Sequence, residues 1–438
     1  MIIILTPYRS ERLDYICQFI FGEQLGVRYE IMTDEDSEKI EFNADHFVIS
    51  YGSTKKLAGV FSMPCKGLLL EKGIQKQSLS PEDYLFSFEE DITLKIFFQE
   101  KGYSFPFDLF SATFYLITRY EEYLPHEKDS FGRFPHTASL AFQHGFLNQP
   151  LVNIWLNVFM KSLQMQFDEI KFNSPSFQSM VTYDVDMAWS YKNKGFFRNF
   201  FGFLKKPTME RILVLAGIKK DPFDSFDFLE KINQKGNLKT LFFFLMSKNR
   251  TKYDKNISPK NPEWISRIQK IAAQNSIGFH PSFNTMNDQH CMNEEKETLA
   301  AITKENIIQS RQHYLRFHLP ETYRLLIASG IEKEYSMGYG SINGFRASFA
   351  GSFNWYDLPN EKTTSLRIYP FSYMDANSIF EEKTSPDQAE LNFKEQWEYC
   401  KKTNGLFISV FHNHLLADNK KHKRWRSSFE RIISLIRQ

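Results

Sequence analysis

Met180-Val181-Thr182-Tyr183-Asp184-Val185-Asp186 is a short apolar strand that runs out into two carboxylates. Asp is disfavoured inside strands, so a pair at i and i+2 on a strand end asks for a reason. Taken alone, a helix cap or a solvated loop is the better explanation. The sequence that follows changes the weighing. From residue 178 onward strands and helices alternate, with strands expected at 180–183, 240–246, 277–279, 314–318, 365–370 and 406–411. Asn261-Pro262 opens one intervening helix with a cap and a first-position Pro. Trp264, Ile265, Ile268, Ile271 and Ala272 form its buried stripe. Pro320 opens a helix that stops at Gly330, and Ser385-Pro386 opens another that stops near Gly405. Repeated strand-then-helix units predict an α/β fold, either a parallel sheet or a barrel with helices outside. In such folds the chemistry sits at the C-terminal ends of the strands.

Two further strand ends carry reactive side chains. One reads Gly278-Phe279-His280-Pro281-Ser282-Phe283-Asn284, where Pro281 fixes a turn that presents the His280 ring at the strand mouth. The last strand, 406–411, ends in His412-Asn413-His414. A lone His on an apolar strand is usually a core residue. Three strand ends that deliver Asp, His and His are oxygen and nitrogen groups suited to a divalent metal and to general acid–base work.

These residues resemble the polysaccharide deacetylases of carbohydrate esterase family four, which share the NodB-homology domain. The family's T-F-D-D motif is similar to Thr182-Tyr183-Asp184-Val185-Asp186 with one residue inserted. The resemblance implies Asp184 as general base and Asp186 as metal ligand. The H-[ST]-x-x-H motif places one metal histidine on His280 and the second on Asn284, a poor zinc ligand. The closing L-x-H motif resembles Val410-Phe411-His412, implying His412 as general acid with His414 as its substitute. The family's Arg-Pro-Pro-Tyr-Gly motif is absent, and its place is taken by Arg311-Gln312-His313-Tyr314-Leu315-Arg316 and later by Gly344-Phe345-Arg346-Ala347. These R-x-H and G-F-R motifs resemble a divergent, Bacteroidetes-type branch with an extra N-terminal domain.

The implied fold is a distorted (β/α) barrel of about seven strands over residues 175–438, the catalytic domain. A smaller α/β or α+β domain of unknown role, residues 1–168, precedes it. The implied reaction is metal-dependent removal of acetyl groups from N-acetylated sugars of a polysaccharide, oligosaccharide or lipid-linked glycan, with zinc as the metal. His313 either replaces the ligand missing at Asn284, or binds substrate, or only packs. Arg346, with Arg311 as second choice, is expected to hold Asp184 ionised and oriented. Ser282, His414 and Arg316 are expected to bind substrate. Two other readings stand beside this one: a degenerate glycan-binding domain that does not hydrolyse, because Asn284 breaks the metal motif, and an amidohydrolase acting on a small cyclic amide.

The rest of the chain bounds these expectations. At 438 residues the length suits two or three domains, and a net charge of +2 argues against a nucleic-acid partner. Four scattered cysteines (Cys17, Cys65, Cys291, Cys400) form no disulfide framework or zinc motif and suit a reducing compartment. The start, Met1-Ile2-Ile3-Ile4-Leu5, lacks the basic region of a signal peptide, so a cytoplasmic protein is the expectation. The first 150 residues mix strands at 2–5 and 46–51 with a helix at 107–123, beside which Glu121 and Glu122 read as solvated. Pro150 opens a helix to about residue 166. Aromatic residues make up 16% of the chain, which reflects either codon bias and core packing or a carbohydrate or membrane surface. Five Phe between Phe196 and Phe203 alternate with cations, a pattern that fits peripheral membrane contact or a lid over the barrel. The basic C-terminal segment carries Trp425, Phe429, Ile432, Ile433 and Ile436 on one stripe and reads as a last core-packed helix.

Overall fold

The structure, a computed structural model, describes residues 1–39, 46–55, 58–87, 91–236 and 238–437. The chain begins with β1 (Ile2–Thr6), five apolar or small residues buried on both faces. A strand buried on both faces belongs in the middle of a parallel sheet. Accordingly β1 lies between β2 (Tyr29–Thr33) and β3 (Phe47–Tyr51), with β4 (Phe61–Met63) outside β3, all parallel. A separate antiparallel hairpin, β5 (Glu82–Phe86) and β6 (Ile92–Ile96), follows.

The helix expected at 107–123 is shorter, Leu109–Ile117, capped by the Asp108 carboxylate on the Ser111 N–H. It ends because Arg119 takes a left-handed backbone, with φ 56°, and turns the chain inward. That turn corrects the expected solvation of Glu121 and Glu122. Both are buried, Arg119 bridges them at 2.7 Å each, and Arg346 grips Glu122 with Nη2 at 2.6 Å and Nε at 2.9 Å. The helix Leu151–Gln166 follows Pro150 as expected.

The second half forms one sheet of nine strands: β7 (Gln178–Val185), β8 (Thr240–Leu245), β9 (Ser276–His280), β10 (Gln309–Ser310), β11 (Lys333–Glu334), β12 (Phe353–Asp357), β13 (Lys362–Ile368), β14 (Tyr373–Met374) and β15 (Leu406–His412). Their order is β12-β13-β11-β10-β9-β8-β7-β15-β14, parallel throughout except for the β12–β13 hairpin. This corrects the expected barrel of about seven strands. Among the described residues the sheet is open, because the antiparallel β12 and the two-residue β14 stand at opposite edges and do not pair. The strand expected at 314–318 is also corrected. The chain instead pairs at β10, and Tyr314 and Leu315 have φ 59° and 51°, a left-handed backbone that no strand can hold.

The chain leaves β7 toward β8 but enters β15 from β14, so the connections diverge between these two neighbours. Such a reversal opens a crevice at the strands' C-terminal ends. Asp184 and His412 are register partners there. The main apolar core runs without interruption from Ile2 to Ile433. Polar ties also cross between the halves: Arg12 to Glu361 at 2.6 Å, the Tyr15 hydroxyl to the Asn354 carbonyl at 2.7 Å, and Glu122 to Arg346. The C-terminal helix Lys423–Ile436 buries Phe429, Ile432 and Ile433 as its stripe predicts.

Burial pushes the Glu122 carboxyl up, but Arg346 and Arg119 more than offset it and bring it down to about 2. A depressed carboxylate contributes its stability in full above the unfolded value of 4.5 and loses it as pH falls through the folded value of about 2. Glu122→Ala should therefore cost about 3–5 kcal/mol at neutral pH, since it leaves buried guanidinium charge unpaired. A lower urea midpoint at unchanged slope would report it.

Candidate functional site

Asp186 lies just past the end of β7 with one carboxylate oxygen, Oδ1, buried and without a hydrogen-bond partner. His280, the last residue of β9, faces that oxygen with Nε2 at 3.3 Å. The other ring nitrogen, Nδ1, is bonded to the Arg311 carbonyl. A carbonyl only accepts, so Nδ1 carries a proton, and Nε2 is the nitrogen left to face Asp186. A cation between Nε2 and Oδ1, a proton or a metal ion, would bind both atoms at this distance. His313 adds a third donor: Nδ1 is bonded to Asp254 Oδ1 at 2.8 Å, and Nε2 points to Asp186 Oδ2 at 3.8 Å. The ligand atoms of Asp186, His280 and His313 all lie within 4.8 Å of one another. One carboxylate and two imidazoles, each imidazole backed by an acceptor on its far nitrogen, can hold a divalent metal.

Two further titratable side chains flank this set. Asp184 is buried and receives Arg311 Nη1 on Oδ1 at 2.8 Å. The same Nη1 reaches Thr182 Oγ1 at 2.7 Å, Nε donates to the Tyr335 carbonyl at 3.0 Å, and the guanidinium lies over Phe243 and Phe371. On β15, His412 Nδ1 meets Asp375 Oδ1 at 2.6 Å, and its backbone N–H donates to Asp375 Oδ2 at 2.8 Å. His412 Nε2 faces Asp186 Oδ2 at 3.7 Å.

The electrostatics follow from these pairings. Burial pushes Asp186 up, yet His313, His280 and His412 hold it well below the usual carboxylate range. Burial lowers His313, but Asp186 and Asp254 raise it to about 9. Burial likewise lowers His412, and Asp375 with the Asp186 and Asp184 charges raises it to about 10. Among the described residues His414 pairs with no carboxylate and its Nδ1 is buried without a hydrogen bond, so burial takes it down to about 3 against the pull of the Asp186 charge. His412 and His414 are therefore not interchangeable: one is poised as an acid and the other stays neutral.

These groups line a cavity of about 230 Å³ whose wall also includes Phe131, Arg133, Tyr253, Lys255, Gln312, Tyr314 and His414. Tyr314 stacks on Phe131 at 5.3 Å and meets Tyr253 edge-on at 5.4 Å, which gives one side an aromatic surface. Phe131 and Arg133 come from the first half of the chain, and Arg133 Nη1 donates to the Tyr314 carbonyl at 2.8 Å.

Four expected site residues lie elsewhere. Arg346 does not hold Asp184, because its guanidinium is committed to Glu122 and the Gly338 carbonyl. Arg311 makes that contact instead. Asn284 is exposed on the loop after β9 and does not line the cavity, because Pro281 turns the chain away from the ligands. Ser282 is buried with its N–H on Glu295 Oε2 at 3.1 Å. Arg316 spends Nε on the Phe131 carbonyl at 3.0 Å and Nη1 on the Phe283 carbonyl at 2.6 Å, so it ties loops together rather than facing the cavity. Sequence reading missed Asp254, Asp375 and the aromatic wall. Asp375 does follow a strand, but β14 is two residues long and too short to read. Asp254 sits in a loop with no motif around it.

Residues 2–168 match the Family of unknown function (DUF7033). No curated protein matches the chain. Among solved structures, a candidate polysaccharide deacetylase from Mycobacterium smegmatis aligns at 11% identity and a TM-score of 0.40, over 61% of this chain and 86% of that one. The polysaccharide deacetylase Bc1974 from Bacillus cereus aligns at 9% and 0.31, over 59% and 88%. Agd3, described as a novel carbohydrate deacetylase, aligns at 8% and 0.36, over 100% and 84%. All are remote likenesses.

Asp254→Asn removes the charged acceptor behind His313 and should weaken zinc binding about 10–100-fold, as measured against a chromophoric chelator. Asn284→Ala should leave zinc affinity unchanged. Wild-type affinity in His313→Ala would exclude it from the ligand set.

Proposed function

We propose that the chain is a metal-dependent hydrolase that removes acetyl groups from N-acetylated sugars of a polysaccharide, oligosaccharide or lipid-linked glycan. One observation carries this reading: a carboxylate held by a guanidinium, Asp184 on Arg311, and an imidazole backed by a carboxylate, His412 on Asp375, flank the Asp186–His280–His313 set from adjacent strands. A carboxylate and an imidazole placed side by side over one centre offer a base and an acid to the same reaction.

Asp186, His280 and His313 would hold the ion, and zinc suits their donor set. Such an ion supplies Lewis acidity toward an acetamide carbonyl and lowers the pKa of water. Arg311 orients Asp184 by donating to Oδ1, and the other oxygen, Oδ2, takes the proton of the attacking water. His412 starts protonated, because Asp375 and the other nearby carboxylates hold its proton, and Nε2 delivers it to the departing sugar amine. The C–N bond breaks as the water oxygen joins the acyl carbon, leaving acetate and a free amine. Phe131, Tyr253 and Tyr314 offer the flat apolar surface on which the C–H face of a sugar ring packs. The non-hydrolysing alternative drew on Asn284 as the second metal ligand. With Asn284 outside the cavity and His313 beside Asp186, that ground weakens.

Acetate release from zinc-loaded protein and chitooligosaccharides tests the reading. Asp184→Asn and His412→Gln should each lower the rate by about 10²–10⁴ while zinc content is unchanged. Zinc-loaded protein that binds the oligosaccharides yet releases no acetate would favour the binding alternative. Asp375→Asn carries a separate signature. Removing that charge lowers the His412 pKa, so the acid form is lost sooner as pH rises, and the basic limb of the pH–rate profile should move to lower pH.

A further inference from the structure

The segment after Asp186 leaves the sheet as a hairpin of two short helices, Phe196–Lys205 and Met209–Leu215. The first buries none of its ten residues. Phe196, Phe197, Phe201 and Leu204 are 63–76% exposed, and Phe196 stacks on Phe200 at 5.9 Å with rings nearly parallel. Met209, Ile212, Leu215 and Ile218 continue the exposed apolar surface onto the second arm. A soluble surface does not gather this many large apolar side chains without an occupant. The charge around them selects among occupants. Between residues 192 and 220 there are eight cations against one carboxylate, Glu210; Glu210 pairs with Lys219, Glu263 with Lys192 and Asp227 with Lys220. Among the described residues, Arg198, Lys205 and Lys206 pair with no carboxylate. Two copies meeting on this face would bring like charges together, whereas an anionic lipid surface complements it. No helix of the described chain is long and apolar enough to cross a membrane, so insertion is confined to the interface.

We propose that this hairpin docks the protein onto a bilayer containing anionic lipid, with its Phe face in the headgroup layer and its cations on lipid phosphates. The hairpin is fastened beside the cavity at both ends. The Asp221 carboxylate, where the hairpin returns, accepts the N–H groups of Ser190, Tyr191 and Lys192, where it departs, at 2.7, 2.8 and 3.0 Å. Met187 lines the cavity, and Phe223 lies against His414 at 5.6 Å. Docking thus brings the cavity to the membrane surface. If the proposed hydrolysis holds, this favours a membrane-borne glycan as substrate. The docking itself does not depend on that reading, and it is measured without turnover.

The test is co-sedimentation of the full chain with vesicles of phosphatidylcholine containing about 30% phosphatidylglycerol, in about 0.1 M salt. The wild type should bind these vesicles and bind pure phosphatidylcholine at least about tenfold more weakly. Phe197→Ser/Phe201→Ser and Lys205→Glu/Lys206→Glu should each weaken binding by about tenfold or more. Their unfolding temperature should stay at the wild-type value, because the side chains changed are exposed. A wild type that remains in the supernatant overturns the proposal, and so does undiminished binding of the Phe variant. If, without vesicles, the wild type is a dimer and the Phe variant a monomer, the face joins two copies and the proposal fails.

Discussion

Arg311 is fully buried, and the arrangement of the site follows from how its charge is accommodated. Its Nη1 bonds Asp184 and Thr182 of β7, its Nε bonds the carbonyl just past β11, and its own carbonyl receives His280 from β9. Phe243 of β8 and Phe371 cover its faces. One residue, through its side chain and its carbonyl, therefore ties β7, β8, β9 and β11 together. Taking a guanidinium and a carboxylate out of water costs several kcal/mol per ion, so such a pair is weak evidence for stability. Its Nη2, buried without a hydrogen bond, adds to that cost, and the two aromatic faces offset part of it. What the pair contributes is orientation: Arg311 holds one oxygen of Asp184 and leaves the other to the cavity.

The same logic extends outward through Asp254 and Asp375. Each binds the Nδ1 of a histidine whose Nε2 then points to Asp186. Asp186 is thus encircled by three imidazoles while one of its oxygens has no hydrogen bond, a concentration of donors around a buried carboxylate that a cation would complete. A cation on Asp186 would also compete with the histidines' protons. The raised His313 would give its proton up on binding, while His412 retains Asp375 to keep its own.

Much of this was legible in the residues. Asp184, Asp186, His280 and His412 stand at strand ends because an apolar run followed by a reactive side chain is a local pattern, and the strands at 180–183, 240–246, 277–279 and 406–411 appear at those places. Where the reading failed, the cause was a partner distant in sequence. Arg346 and Arg311 are both Arg in plausible motifs, and only packing shows that Glu122 claims the first. Glu122 was read as solvated because nothing near it in sequence reveals a guanidinium 224 residues away. Asn284 occupied the motif position, while the third donor, His313, comes from a different loop brought close by the pairing of β9 with β10.

By itself, the sequence determined the α/β class, the strand ends that carry the candidate site and the amphipathic, basic character of the Phe-rich hairpin. Each of these depends on hydrophobic periodicity or on residues adjacent in the chain. Only the tertiary structure decided that the sheet stays open, that Arg311 rather than Arg346 holds Asp184, and that the Phe face is left uncovered. It also decided that Phe131 and Arg133 of the first half complete the cavity wall. These are outcomes of which buried charges and apolar faces find partners, and a partner is chosen by proximity in space, which local sequence does not encode.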